Sequence, residues 1–182
     1  MAVFNVIDHT EIASGGAASW AASSISSSYD HLLIKVQERN DNGGAGRYPT
    51  IRLGNSGIDT GSNYSTTYAY SRTSSSVASG RESTSYIPLY YGSDDNDTSN
   101  TYSALEVWIP NYSNTSNYKQ TWSRIVAPSA SGSDYNWGMG FQAGLWKSNS
   151  AVTDVQVLAW NSGGGAKHMQ YSTFTLYGIN AA

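Results

Sequence analysis

The stretch His31-Leu32-Leu33-Ile34-Lys35-Val36-Gln37-Glu38 places Leu32, Ile34 and Val36 on one face and Leu33, Lys35 and Gln37 on the other. A side-chain period of two is the mark of a strand with one face turned to a core. The pattern recurs. Ala104 to Pro110 sets Leu105, Val107 and Ile109 opposite Glu106 and Trp108. Trp137 to Trp146 sets Trp137, Met139, Phe141, Ala143 and Leu145 opposite Gly138, Gly140, Gln142 and Gly144. A bare glycine face is useful to a strand only where another backbone or a ring lies close over it. Val152–Ala159 and Thr173–Ile179 complete the C-terminal set. Weaker strands are read at Asn5–Ile12, Ser19–Ile25, Thr50–Leu53, Tyr64–Tyr70, Ser85–Tyr91 and Lys119–Ala127.

Turn chemistry separates these runs: Asn42-Gly43-Gly44, Gly54-Asn55-Ser56-Gly57, Ser93 to Asp97, Asn111 to Asn117, Ser129 to Ser133 and Ser162 to Gly165. About ten short strands with no amphipathic helix predict an all-β, antiparallel β-sandwich of jelly-roll-like type. Residues 1–182 read as a single domain, with 1–28 as an N-terminal strand or arm available to a partner. Aromatic and β-branched residues recur in every segment after the first thirty, which argues against disorder.

The composition narrows the functions. A charge of −3 with 13 % charged residues provides no basic footprint for nucleic acid. No run of about 18 apolar residues predicts membrane insertion. Met1-Ala2-Val3-Phe4-Asn5 lacks the basic and apolar regions of a signal peptide. With no cysteine, disulfides and thiolate zinc sites are excluded.

Candidate chemistry is sparse. His9, His31 and His168 lie in separate segments without metal-pair spacing, and no serine occupies a nucleophile elbow. No catalytic residue is assigned, and the chain reads as a non-enzyme. Glu106 could be one half of a glycosidase pair, but nothing identifies its second carboxylate. Asp94, Asp95 and Asp97 crowd one turn, which is either a solvated acidic loop or a Ca2+ site. No other cofactor is expected. Tyr64, Tyr68, Tyr70, Tyr90, Tyr91 and Tyr112 are candidate interaction-surface residues, because tyrosine offers large contact area at low entropic cost. The competing reading puts these rings in the core.

Several strings, taken in order, resemble small β-rich virion proteins of tailed bacteriophages, especially marine and cyanobacterial ones. They are Tyr29-Asp30-His31-Leu32 running to Arg39, Ile51-Arg52-Leu53-Gly54-Asn55 followed by Asn63-Tyr64-Ser65, and Ile109-Pro110-Asn111-Tyr112 leading to Lys119. Gly140 to Trp146 before Ala151 to Val155, and Leu176-Tyr177-Gly178-Ile179, complete the set. The chain has Leu53-Gly54-Asn55-Ser56 where the related pattern has Phe-Asn-Gly-Asp. The resemblance implies a virion-surface protein that decorates or cements the capsid, or is tail-associated. Its partners would be major capsid or tail proteins and copies of itself, in a homo-oligomer such as a trimer. The alternative is a tail-fibre or receptor-binding module for a host surface polysaccharide. A third reading, a glycan hydrolase, needs two carboxylates about 5–10 Å apart.

Overall fold

Period-two alternation carries through the computed structural model, which describes residues 3–41, 48–72, 76–128, 138–159 and 165–180. The chain is all-β. Its strands are β1 (Val3–Glu11), β2 (Ser19–Ala22), β3 (His31–Asn40), β4 (Thr50–Gly54), β5 (Tyr64–Arg72), β6 (Ser76–Thr84) and β7 (Ile87–Pro88). They continue as β8 (Ser93–Asp94), β9 (Ser103–Pro110), β10 (Lys119–Ala127), β11 (Gly138–Trp146), β12 (Asp154–Leu158) and β13 (Thr173–Asn180). The large sheet runs β1-β13-β3-β9-β10-β11-β5-β6, and β8 adds a short parallel pairing beside β3. The small sheet runs β2-β12-β4-β7.

The two sheets form a β-sandwich around one apolar core. Leu32, Ile34, Val107, Ile109, Phe174 and Leu176 come from the large sheet, and Trp20, Ile51, Leu53, Val155 and Val157 from the small one. Trp20 stacks on Phe174 across the gap, with ring centroids 5.5 Å apart. In β10 the alternation is strict: Lys119, Thr121, Ser123, Ile125 and Ala127 are buried while their neighbours are exposed. Strand β6 is missed by the periodicity reading because Ser, Gly, Arg, Glu and Thr dominate it. It forms as the outer partner of β5, paired from Tyr64↔Thr84 to Arg72↔Ser76.

The glycine face of β11 proves to be the inner one. A Cβ on Gly144 would lie 2.7 Å from Ile87 Cδ1, and one on Gly140 would lie 3.3 Å from the Tyr90 carbonyl. The segment 87–90 therefore runs directly over this face. Between the glycines, the Gln142 amide donates to the Pro88 carbonyl and accepts from Tyr90 N–H at 2.9 Å. Its outward face carries Met139 and Phe141 into solvent. Trp137, read as part of this strand, lies outside the described residues, as do the turns at 42–44, 129–133 and 162–164.

A clasp at 53–64 ties β4 to β5. The Tyr64 hydroxyl lies 2.8 Å from both the Leu53 and the Asp59 carbonyls and accepts from Leu53 N–H at 3.1 Å. The Asp59 carboxylate accepts from Trp146 Nε1 (2.8 Å), Asn63 Nδ2 (2.9 Å) and Gly61 N–H (2.8 Å). Burial pushes this carboxyl up, but those three donors outweigh it and hold it below the ordinary range. A depressed folded value contributes stability above the unfolded value and loses it as pH falls through the folded one. The unfolding midpoints of the wild type and Asp59→Asn are therefore expected to differ at pH 7 and to converge on acidification below about pH 4. A constant gap across that range would show that charge is not what Asp59 contributes.

Candidate functional site

The tyrosines expected at the surface are mostly interior. Tyr64 and Tyr112 are fully buried, and Tyr90 and Tyr91 nearly so. The Tyr64, Tyr112 and Tyr90 phenols find their partners inside, which is what lets a large polar ring serve as core. The Tyr112 hydroxyl donates to the Ser26 carbonyl and accepts from Tyr29 N–H at 3.4 Å. Tyr90 donates to Glu82 Oε1 at 2.5 Å. Burial pushes the Tyr90 phenol up, and the Glu82 bond and charge push the same way. Tyr68 and Tyr70 are half-buried on the inner face of β5, stacked on each other at 5.6 Å. Tyr68 packs on Tyr90 at 4.3 Å and Tyr70 on Tyr91 at 4.6 Å. These rings extend the core beyond the reach of the four-stranded sheet, so they are structural.

The acidic turn is likewise engaged with its own backbone. Asp94 accepts from Asn96 N–H at 2.9 Å, and Asp97 accepts from Asp94 N–H at 3.0 Å. Arg39 donates to the carbonyls of Asp97 and Thr98 at 2.8 Å each. Asp95 points to solvent. Among the described residues no group of three His, Asp or Glu side chains is arranged to hold a metal. The histidines have local partners: His9 with Thr175 Oγ1 (2.8 Å), His31 with Asn111 N–H (3.1 Å) and His168 with Glu38 (2.6 Å).

What the fold leaves open is the outer face of the large sheet. The small sheet covers the inner face only, so strands β13 to β6 present a second face to solvent. Register assembles three rows across the strands. One runs Tyr177, Leu33, Trp108, Trp122, Ala143, Thr67 and Arg81. The next runs Thr175, Lys35, Glu106, Arg124 and Phe141. The third contains Gln37, Ala104, Val126 and Met139. Trp122 is 45 % exposed and Phe141 60 %. Trp108 and Trp122 stack at 6.4 Å with 27° between their planes. Contiguous exposed apolar groups of this kind mark contact surfaces.

A three-membered ion network crosses the second row. Lys35 Nζ lies 3.2 Å from Glu106 Oε1, and Arg124 Nη2 and Nε lie 2.6 and 2.7 Å from Oε2. Burial pushes the Glu106 carboxyl up, but the two cations outweigh it and hold it low. Glu106 is therefore an anchored anion rather than a proton donor. Around it lies a groove of about 550 Å³ lined by Gln37, Val126, Thr173 and Tyr177 among others, and among the described residues Glu106 is its one carboxylate. The two-carboxylate arrangement of a glycan hydrolase has no second member there. A further depression of about 510 Å³, with Thr67, Arg81 and Gln120 in its lining, continues along the same face.

The large sheet ends in two free rims, β6 at one end and β1 at the other, and the β1 rim is the second open feature. Strand β1 pairs with β13 on one side only, with a bulge between Val6 and Asp8. Val3 (52 % exposed) and Val6 (61 %) stand out from this nine-residue strand. The N-terminal half of the strand, with Val3, Phe4 and Val6 exposed, offers unpaired N–H and C=O groups to another chain.

Sequence reasoning marked 1–28 as a strand or arm available to a partner, but it missed the composite outer face. It placed Trp108, Glu106 and Lys35 on outward faces, but only strand register brings them beside Trp122 and Arg124.

No family model matches the chain, and no curated protein does. Among solved structures it is similar to one titled "Structure of alginate lyase Aly36B", at 9 % identity and a TM-score of 0.30. That alignment covers 95 % of this chain and 80 % of the other. A likeness at that level carries no statement about this chain's activity.

Proposed function

We propose that this protein is a non-catalytic virion structural module of a tailed bacteriophage that attaches to a neighbouring particle protein through the free rim of β1. The observation that carries the reading is the unpaired apolar edge of β1. Edge strands of monomeric proteins are commonly blunted by lysine, proline, a bulge or a covering segment; the bulge here comes only after Val6, and Val3, Phe4 and Val6 ahead of it are exposed. The rim suits strand addition, in which main-chain hydrogen bonds supply affinity and alternate side chains supply specificity. The ordered strings shared with phage virion proteins support the same assignment, and a surface protein of this kind needs no turnover chemistry. A homo-oligomer built rim to rim is one form such attachment takes.

Purified particles test the proposal. The chain is expected in washed virions, with β1 facing its neighbour in a reconstruction by electron microscopy. Val3→Lys/Val6→Lys is expected to cut incorporation at least about ten-fold, because lysine on an edge opposes pairing, while leaving the unfolding midpoint unchanged. Normal incorporation of that variant, or absence of the chain from particles, would defeat the proposal.

A further inference from the structure

We infer that the uncovered face of the large sheet binds an acidic polysaccharide, with Trp108 and Trp122 as its stacking platform and Lys35, Arg124 and Arg81 as anchors for its anionic groups. The inference does not use the β1 rim, so it stands or falls separately from the attachment proposal.

Charge is the first argument. The protein as a whole is acidic, with ten cationic and thirteen acidic residues. Among the described side chains, Lys35, Arg81, Arg124 and Lys147 belong to this face or its margin, against Glu106 and the peripheral Glu11. The face is therefore cationic on an acidic protein, and it complements an anion. Glu106 does not cancel this. Its side chain is 23 % exposed, against 53 % for Lys35 and 57 % for Arg124. The carboxylate thus lies below two outward cations that keep N–H donors for a second anion.

Ring geometry is the second argument. Trp108 and Trp122 are direct cross-strand partners with nearly parallel planes. Their row crosses the strands, and the cation row runs beside it, two residues along each strand, or about 7 Å away. A chain of sugar rings lying across the strands would rest apolar ring faces on the tryptophans. Its carboxylate or sulfate groups would then reach the cations one row over. Thr67, Thr173, Gln37 and Gln120 border the two depressions. Hydroxyl and amide groups both donate and accept, as a hydroxyl-rich ligand requires.

The same facts disfavour a second copy, which seated face to face would bring cation against cation. An acidic protein would answer the same charge, and poly-glutamate is the arm of the test that separates it from a polysaccharide.

The test is calorimetric titration of the purified protein with polygalacturonate, size-matched dextran and poly-glutamate. Polygalacturonate is expected to bind, and to weaken about ten-fold between low and physiological salt, as screened charge requires. Lys35→Gln/Arg124→Gln is expected to weaken it at least about ten-fold, as is Trp122→Ala, whereas Trp122→Phe retains most binding. Trp122 is half-exposed, so its variants keep the fold, which the unfolding midpoint verifies. Val3→Lys/Val6→Lys is expected to bind normally. Dextran binding as well as polygalacturonate would overturn the inference. Poly-glutamate binding as well would assign the face to an acidic protein and overturn it too. So would undetectable polygalacturonate binding at about 1 mM sugar.

Discussion

Replacing His168 by leucine is expected to lower stability by about 3–5 kcal/mol, because it strands one member of a fully buried, hydrogen-bonded acid–imidazole pair. His168 and Glu38 are both fully buried, with Nδ1 to Oε2 at 2.6 Å. The other ring nitrogen lies 3.3 Å from the Val157 carbonyl. His168 thus bridges β3 of the large sheet and β12 of the small one. Glu38 Oε1 has no hydrogen-bond partner among the described residues. Once the imidazole is removed, the buried Glu38 carboxyl group has a partner for neither oxygen among the described residues, and its desolvation is no longer offset. Thermal unfolding should show a drop of about 6–20 °C, at the sensitivity of a chain this size. Glu38→Met combined with His168→Leu should recover much of the loss, because an apolar pair of similar volume avoids the desolvation cost. A double variant no better than the single one would show that the pair's value lies in its shape rather than its charge.

Gly54→Ala should be comparably damaging, at about 3 kcal/mol or more. A Cβ at this position would lie 1.9 Å from the Gly57 carbonyl oxygen and 2.8 Å from Ile58 Cα. Those obstacles are backbone atoms, so no side-chain rotation relieves them. They belong to the tight return in which Gly54 bridges Ile58 and Gly57 adopts φ +136°. Widening it would pull Asp59 from Leu53 and Tyr64 and loosen the clasp. Gly144→Ala meets Thr121 Oγ1 and the end of Ile87 instead, which can yield in part, and should cost less. Chemical denaturation of the three proteins side by side measures the order. If Gly144→Ala proved the more destabilising, the rigidity assigned to the 54–58 return would be wrong.

The two glycines also separate what was legible in the sequence from what was not. The alternation in β11 announced a bare face, and the need for something close above it followed from chemistry alone. That Ile87 and Tyr90 supply the cover depends on where a distant segment crosses. The tyrosines show the opposite failure. Their spacing in Tyr64–Tyr70 put them on one face, as observed, but a tyrosine suits a core and a contact surface equally. Only the position of the small sheet and of segment 86–91 decided for the interior. Burial of Asp94 and Asp97 beside Arg39 was hidden for the same reason, since a run of acids reads as solvated until a partner is placed on it.

The chain's own order of residues determined that it is β throughout, which positions of β3 and β9 face inward, and where the turns at 54–57 and 93–97 fall. These are local properties, fixed by a period of two and by the dihedral preferences of a few residues. Tertiary structure alone decided which strands lie side by side, and hence that Trp108 meets Trp122 and Lys35 meets Glu106 and Arg124. Pairing between strands far apart in sequence is set by total burial and hydrogen bonding across the whole sheet, and no single segment encodes it.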